Sequence, residues 1–314
     1  MSRLPPIIDA PFVVSDVIFV DPRYRGTRLQ ADNEADLDEV REMLVRKQIR
    51  IYNARELRQS PNLEKENFQL VDCPSTRSLD HDFYDDNYVT TQYYEYCSNL
   101  VKTLTNAIEA KALQYEYRDG GGNNRGSGPG YYASSVHADV SPLIEDLTSV
   151  KGNRHFGLYN VWRNIDLERN IEFMPLALCD ATTVSAVDIV YADSWRRTKP
   201  PTRFTNSRLI HNLVQTWYYF PRMTPNEVLL FKQYDTRQYH AGRRTAFHAA
   251  FKDPTSPIDA PLRQSIEVRV LAIFPEEDVD SSKRIAQFQA EVPNIRRDGT
   301  STEWEQETMV DWRC

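Results

Sequence analysis

Two histidines and one aspartate carry the most specific chemistry in the sequence. The run VHADV at 136–140 alternates apolar and polar residues, so as a β-strand it presents His137 and Asp139 on one face. A third ligand is available from FHAAF at 247–251, where small alanines leave room beside His248. Two histidines and one carboxylate, with the other positions open, form the facial triad of non-haem Fe(II) oxygenases. The pattern therefore predicts an open metal site.

The His-x-Asp pair is weak evidence by itself. The chain has 6 histidines and 45 acidic residues, so about one such pair is expected by chance. A histidine on a strand is also commonly a hydrogen-bonded structural residue, and that alternative stays open for the pair alone.

An arginine and a serine strengthen the metal interpretation. Arg263 lies fifteen residues after His248, and Ser265 opens the strand-like run SIEVRVLAIF. Oxygenases that use 2-oxoglutarate need a cation that holds the distal carboxylate of this co-substrate, and the arginine fork matches a carboxylate bidentately. The alternative for Arg263 is a surface position at the start of a strand, in an ion pair.

Arg269 is the competing anchor for the same carboxylate. Alternation along the strand places it on the face of Arg263, about 20 Å further on, so only one of the two can hold a five-carbon diacid. Glu267 is a ready ion-pair partner for Arg269. We therefore predict that Arg263 is the anchor, that Ser265 supports it, and that Arg269 contributes mainly to stability.

Six residues next to the predicted ligands in the sequence are candidate substrate contacts. They are aromatic or polar, and core packing is the alternative for the tyrosines and the tryptophan. The candidates are Tyr131, Tyr132, Tyr159, Asn160, Trp162 and Arg163. Two other charged residues are predicted to lie outside the chemistry: Lys232, with its ammonium directed outward, and Asp180, as a turn residue.

Composition excludes several classes of protein. The 38 basic and 45 acidic residues give a net charge of −7, which lacks the basic excess of a nucleic-acid binder. No apolar run is long enough to span a membrane, and the opening MSRLPPIIDAPFVV lacks a secretory pattern, so a cytoplasmic protein is expected. The four cysteines form no CxxC pair and are expected to be reduced thiols.

The element patterns change along the chain. Helical spacing predicts an amphipathic helix near 34–47 and a long helix over about 88–117, whereas FQLVDCPS at 68–75 is typical of a strand. A glycine-rich segment at 120–130 is predicted to be a loop, either a mobile lid or a dispensable insertion. After it, short β-branched and aromatic runs between turn residues indicate an antiparallel barrel or jelly roll of roughly eight strands.

A single domain over 1–314 is predicted, because no linker divides the chain. It is expected to be mainly β with flanking helices. Its parts are an α+β buttress at 1–118, a core at 130–275 and a C-terminal extension at 276–314.

Several stretches together resemble one known family. In chain order, the matching stretches are VHADVSP, NVWRNI, PLALCDATTV, WYYFPRMTPNEVLLFKQYDTR and FHAAFKDPTSPIDAPLRQSIEVRVLAIF. They are similar to the family, widespread in fungal secondary metabolism, of the gibberellin desaturase and the cephalosporin 7α-methoxylation component. NVWRNI departs from that pattern, since relatives usually have a proline after the arginine, and so does the glycine-rich insertion.

The resemblance implies an Fe(II)/2-oxoglutarate-dependent oxygenase on a double-stranded β-helix, a jelly-roll (cupin-like) core. It implies that His137, Asp139 and His248 bind Fe(II), that Arg263 anchors 2-oxoglutarate, and that O2 is the other co-substrate. A small natural product would undergo hydroxylation, desaturation or oxidative cyclisation through a ferryl intermediate. No nucleic-acid or membrane partner is expected, and the oligomeric state stays open, a homodimer included.

Two alternatives use the same barrel differently. A zinc hydrolase would use the triad to generate hydroxide, but it gives Arg263 and Ser265 no necessary role. A jelly-roll binding protein without catalysis would keep the ligands by descent. Metal analysis separates the three: iron with 2-oxoglutarate turnover, zinc without it, or no metal.

Overall fold

Two β-sheets form the framework of the described part of the protein. The computed structural model describes residues 8–31, 42–73, 83–120, 132–140, 154–196, 202–238 and 240–275. In spatial order, the larger sheet consists of β1 (Phe12–Val20), β3 (Leu44–Asn53), β11 (Trp217–Tyr219), β8 (Leu176–Cys179), β13 (His248–Ala250), β6 (His137–Ala138), β10 (Thr202–Leu209), β9 (Ile189–Arg196) and β2 (Arg28–Ala31). The smaller sheet consists of β4 (Phe68–Asp72), β12 (Glu227–Asp235), β7 (Phe156–Asn164), β14 (Ser265–Ile273) and β5 (Glu109–Arg118).

The central strands of the smaller sheet are buried on both faces. Every residue of β7 and of β12 is buried, and their sequences FGLYNVWRN and EVLLFKQYD are rich in strand-forming residues. Val161 on β7 belongs to a core shared with a helix, whereas its neighbour Trp162 belongs to a core shared with the larger sheet. The alternation along β7 therefore separates a helix side from a side between the sheets.

The helix α1, Tyr94–Thr105, covers the outer face of the smaller sheet. It continues from an α-helical turn at Asp86–Tyr88 and a π-helical turn at Val89–Tyr93. Asn106 ends the helix in the left-handed conformation, with φ of 55°. No helix among the described residues is long and apolar enough to cross a membrane.

The helix predicted over 88–117 is wrong beyond Thr105. The residues from Glu109 onward form β5, which pairs with β14 along its whole length. Tyr115 and Tyr117 are buried on one face of this strand. Sheet pairing and the burial of these aromatic side chains thus override the helical spacing of the sequence.

The helix predicted near 34–47 is also corrected at its C-terminal end. Leu44 begins β3, which pairs with β1 from Leu44 opposite Val20 to Tyr52 opposite Phe12. Residues 32–41, which carry the rest of that prediction, lie outside the described residues. The strand predicted at 68–75 is confirmed over Phe68–Asp72 as β4, and residues 74–75 lie outside the described residues.

The predicted boundary between an α+β buttress and a β core does not coincide with the boundary between the two sheets. The strands within residues 1–118 contribute to both sheets, with β1, β2 and β3 in the larger one and β4 and β5 in the smaller one. The predicted C-terminal extension at 276–314 and residues 121–131 of the glycine-rich segment lie outside the described residues.

Lys232 lies inside the protein and does not point outward as predicted. Its side chain is 0% exposed, and its Nζ lies 2.9 Å from Oδ2 of Asp235, which is equally buried. Arg237 binds the same carboxylate at 3.0 Å. Residues three apart on a regular strand face opposite sides, but β12 shifts register between Lys232 and Tyr234. This bulge lets the two buried charges meet.

The buried ion pair of Lys232 yields a stability prediction. Lys232→Met leaves Asp235 buried with one counter-charge fewer, so the free energy of unfolding should fall by about 3 kcal/mol. Urea denaturation measures the change. The matched control is Arg58→Met, which breaks the Arg58–Asp9 pair, whose side chains are 90% and 88% exposed, and should leave the unfolding midpoint unchanged. A midpoint that is equally unchanged in Lys232→Met would contradict this account.

Candidate metal centre

His137, Asp139 and His248 come together between the two sheets. One ligand atom from each of the three side chains lies within 4.8 Å of the others. Oδ1 of Asp139 is 3.3 Å from Nε2 of His137 and 3.9 Å from Nε2 of His248. This spacing leaves room for one metal ion among the three atoms.

The backbone sets the direction of both imidazole rings. β6 and β13 are neighbours, and His137 is directly opposite His248 in their register. Nδ1 of His137 lies 2.8 Å from the carbonyl oxygen of Ser135, and Nδ1 of His248 lies 3.0 Å from that of Ala246. Because a carbonyl only accepts, each Nδ1 carries the proton and donates it, which leaves Nε2 free as a ligand.

The carboxylate of Asp139 is held from the smaller sheet. Its Oδ2 accepts hydrogen bonds from Nδ2 of Asn160 at 2.7 Å and from Arg269 at 2.8 Å. Asn160 on β7 and Arg269 on β14 are direct partners in the sheet register, so both side chains reach the same atom. The backbone N–H of Asp139 donates to Oε1 of Gln233 at 2.9 Å. Oδ1 is thereby left to face the two histidines.

The charges around the triad favour the protonation states that a metal requires. Burial by itself would raise the pKa of Asp139, but the positive charge of Arg269 holds it well below its ordinary value. Burial, together with the neighbouring His137, lowers the pKa of His248 to about 3, against the opposing effect of Asp139. An ionised carboxylate and a neutral imidazole are the forms that bind metal ions.

The prediction that Arg269 forms an ion pair with Glu267 is wrong. Arg269 binds Asp139 and Asn160, where an ion pair with Glu267 was expected. The register explains the difference, because Asn160 lies directly opposite Arg269 on β7 and brings it to the Asp139 carboxylate. Glu267 faces Trp162 and Glu116 on its neighbouring strands.

Arg263 and Ser265 lie at the start of β14 with polar atoms that have no partner. Arg263 is 4% exposed and Ser265 is 1% exposed. Nη1 of Arg263 donates to the carbonyl of Met174, whereas its Nε and the Oγ of Ser265 have no hydrogen-bond partner among the described residues. Burial lowers the pKa of Arg263 to about 9. A desolvated guanidinium beside an unpaired hydroxyl matches what a carboxylate ligand needs.

Two aromatic rings enclose this guanidinium. Its central carbon lies 4.5 Å from the ring centroid of Tyr132 and 5.3 Å from that of Trp162. The hydroxyl of Tyr132 donates to the carbonyl of Arg263 at 2.7 Å. Both residues were candidate substrate contacts, and the structure brings them to Arg263.

Three of the other candidate substrate contacts lie on β7, where they occupy different faces of the strand. Asn160 binds Asp139, as described above. Tyr159 and Arg163 lie on the helix side of β7, so the structure does not bring them to the triad. Tyr159 belongs to the core under α1, and the guanidinium of Arg163 lies over the rings of Phe83 and Tyr93. Tyr131 lies outside the described residues.

Two polar residues near the triad were not found from the sequence. Gln233 reaches Asp139 from the bulge of β12, and Arg208 on β10 lies directly opposite His137. Gln233 lies within the family-like stretch WYYFPRMTPNEVLLFKQYDTR, but only the strand register shows that it and Arg208 reach the site. Asp180, predicted to be a turn residue, accepts from the backbone N–H of Thr182 at 2.8 Å and begins a short 3-10 helix.

Known proteins resemble this chain in sequence and fold. The hydroxylase/desaturase efuI of Hormonema carpetanum is 28% identical over 261 residues, covering 69% of this chain and 80% of that protein. The Fe(II)/2-oxoglutarate-dependent dioxygenase nvfI of Aspergillus novofumigatus is 29% identical over 283 residues, covering 82% of this chain and 95% of that protein. A solved structure of a variant of the iron and alpha-ketoglutarate-dependent endoperoxidase NvfI matches with a TM-score of 0.69 at 24% identity, covering 88% of this chain and all of that one.

The fold and the cluster define a double-stranded β-helix protein with two histidines and one carboxylate at a common point. Residues 19–273 match the family described as Oxidoreductase/YMDC permease-like domain, and the chain belongs to that family. The predicted jelly-roll fold is confirmed by the structural match. The predicted resemblance to fungal Fe(II)/2-oxoglutarate oxygenases is confirmed by relatives that carry this activity in their names.

The contact between Arg269 and Asp139 yields a prediction for metal affinity. Arg269→Gln keeps an amide donor but removes the charge that holds Oδ2, so Fe(II) affinity should fall by about 10- to 100-fold. Competition with a chromophoric chelator under anaerobic conditions measures the dissociation constant. Arg58→Gln, which removes an exposed positive charge, serves as the control. If both variants bind Fe(II) like the unchanged protein, Arg269 does not position Asp139.

Glu267 yields a prediction for pH dependence. Burial, together with repulsion from Asp139 and Glu116, raises the pKa of Glu267 to about 8, against the opposing effect of Arg118 and Arg269. The folded protein therefore binds a proton that the unfolded chain releases, and this group lowers stability progressively as the pH rises toward about 8.

Glu267→Gln should accordingly raise the melting temperature by ~3 °C or more at pH 8.5 and by much less at pH 5. Thermal unfolding of the metal-free protein at the two pH values measures this difference. Glu109→Gln on the same sheet, whose side chain is 62% exposed, is the control. A gain that is equal at both pH values would show that Glu267 is ionised throughout this range.

Proposed function

We propose that this protein is an Fe(II)/2-oxoglutarate-dependent oxygenase that acts on a small natural product. The observation that carries the proposal is that Nε of Arg263 and Oγ of Ser265 are buried and have no hydrogen-bond partner in the part of the chain that the structure describes. A guanidinium without a counter-charge is costly inside a protein, and the distal carboxylate of 2-oxoglutarate would supply that charge.

The donor set of the triad fits Fe(II). His137 and His248 would bind through Nε2, and Asp139 would bind through Oδ1. Two imidazoles and one carboxylate on one side of the ion leave its remaining positions open, as in the facial triad of non-haem iron oxygenases. Asn160 and Arg269 would keep the carboxylate in place through its other oxygen.

The residues around Arg263 fit the co-substrate. Arg263 and Ser265 would bind the distal carboxylate of 2-oxoglutarate, while Tyr132 and Trp162 would shield the guanidinium from water. With water excluded, each charge-assisted hydrogen bond becomes stronger. Bound Fe(II), together with 2-oxoglutarate and O2, would supply the oxidation of the substrate. The protein would hold the substrate next to the open positions, and that placement would decide between hydroxylation, desaturation and cyclisation.

Two rival functions fit the buried residues less well. A zinc hydrolase would use the same triad, but it leaves Arg263 and Ser265 without a ligand. A binding protein without catalysis would not require the ionised Asp139 and neutral His248 that suit a metal. We also propose a cytoplasmic location, which the free, buried thiols of Cys97 and Cys179 support.

The proposed function is tested by anaerobic titration of Fe(II) and 2-oxoglutarate, followed by exposure to O2. The complex should develop a weak visible charge-transfer band, and O2 should then give succinate and CO2. His137→Ala should lose Fe(II) binding while its thermal unfolding stays cooperative. If the unchanged protein binds zinc in preference and shows no such band, the hydrolase alternative replaces the oxygenase.

The same titration tests the anchor. Arg263→Ala should raise the dissociation constant for 2-oxoglutarate by about 10-fold or more, because one charge-assisted pair is lost. 2-Oxobutyrate, which lacks the distal carboxylate, should bind the variant and the unchanged protein equally. An equal loss for both keto acids would show that Arg263 acts on the metal site in general and does not hold that carboxylate.

A further inference from the structure

Arg208 forms the end of a row of three polar side chains across the larger sheet. On β6, His137 lies opposite His248 on one neighbouring strand and opposite Arg208 on the other. Directly opposed residues of antiparallel strands project from the same face, with their Cβ atoms about 5 Å apart. Arg208 therefore extends from the face that carries the two histidines, one strand beyond His137.

The guanidinium of Arg208 has one hydrogen bond and no ion pair among the described residues. Its Nη1 donates to Oγ of Ser135 at 2.8 Å. A guanidinium has five N–H donors, so most of them stay available. Asp139 is the acid whose charge acts on Arg208, but its Oδ2 is already bound by Asn160 and Arg269. Arg208 is only partly buried, so its side chain keeps some access to solvent.

Arg208 and Arg263 lie on opposite sides of the triad. Arg263 donates to the carbonyl of Met174, two residues before β8, and β8 pairs with β13 on the side away from β6. Arg208 is on β10, which pairs with β6 on the side away from β13. A ligand that extends from Arg263 to the triad would therefore approach Arg208 only with the end beyond the metal position.

We propose that Arg208 is a second carboxylate-binding residue of this site, which holds a carboxylate that reaches the metal position from the side opposite Arg263. This inference rests on the proposed function. Two sources offer this chemistry: the carboxylate of 2-oxoglutarate next to its keto group, and an acid group of the primary substrate. Arginine suits both, because its planar fork binds a carboxylate through two parallel hydrogen bonds.

The test compares Arg208→Gln with the unchanged protein by anaerobic calorimetry, and thermal unfolding first verifies that the variant is folded. The keto-acid probes are 2-oxoglutarate and 2-oxobutyrate, which share the carboxylate next to the keto group. The substrate-side probes are benzoate and benzamide, which have the same shape but differ in charge. Arg208→Lys keeps the charge without the fork and should retain part of the affinity. Arg58→Gln is the matched control for removal of one positive charge.

Two results support the proposal and identify the source. If both keto acids bind Arg208→Gln at least 10-fold more weakly while its Fe(II) affinity is unchanged, Arg208 holds the carboxylate next to the keto group. A loss of Fe(II) affinity of the same size would instead overturn that assignment. If both keto acids bind within 2-fold of the unchanged protein, but its preference for benzoate over benzamide disappears in the variant, Arg208 holds a substrate acid. If keto-acid binding is unchanged and the variant loses no benzoate preference, the proposal is overturned.

Failure of the proposed function gives a different pattern. In that case the unchanged protein would bind neither keto acid in a metal-dependent way. The benzoate and benzamide titrations need no metal, so they still decide whether Arg208 binds a carboxylate.

Discussion

The pairing of β6 with β13 is the constraint on which the rest of the site depends. These strands are only two and three residues long, yet their register sets His137 opposite His248. Each ring is then fixed by a carbonyl of its own chain two residues earlier, so the backbone itself directs both Nε2 atoms. A slip of one residue would turn the rings to the face where Ala138 and Ala249 now lie in an apolar core.

The two sheets contribute different parts of the centre. The larger sheet supplies the histidines and Arg208, whereas the smaller sheet supplies Asn160 and Arg269, which hold the carboxylate of Asp139 from the other side. The distance between the ligand atoms therefore depends on how closely the sheets pack. Trp162 and Phe231 of the smaller sheet share a core with Leu178 of the larger sheet, and close packing of such cores leaves little freedom for the sheets to shift.

The sequence predicted the parts of this site that depend on residue type and alternation. VHADV placed His137 and Asp139 on one face, and the mainly-β pattern predicted the jelly roll. Two helix predictions were wrong where tertiary pairing decided the structure, because β5 and β3 are held by neighbouring strands that lie far away in the sequence. Lys232 was misplaced because a bulge in β12 changes which side a residue faces, and single-sequence alternation does not reveal bulges.

The same limit explains why alternation could not assign the arginines of β14. Alternation correctly placed Arg263, Ser265, Glu267 and Arg269 on one face of the strand. Whether a charge on this face is neutralised depends on the residues that its side chain contacts. Arg269 meets Asn160 and the Asp139 carboxylate, whereas Arg263 meets the rings of Tyr132 and Trp162. The positive charge of Arg269 is thus neutralised by Asp139, whereas none of the described residues forms an ion pair with Arg263. A ligand that brings a negative charge to Arg263 would stabilise the folded protein as well as occupy the site. In the proposed function, co-substrate binding at this end of the strand would therefore be linked to stability.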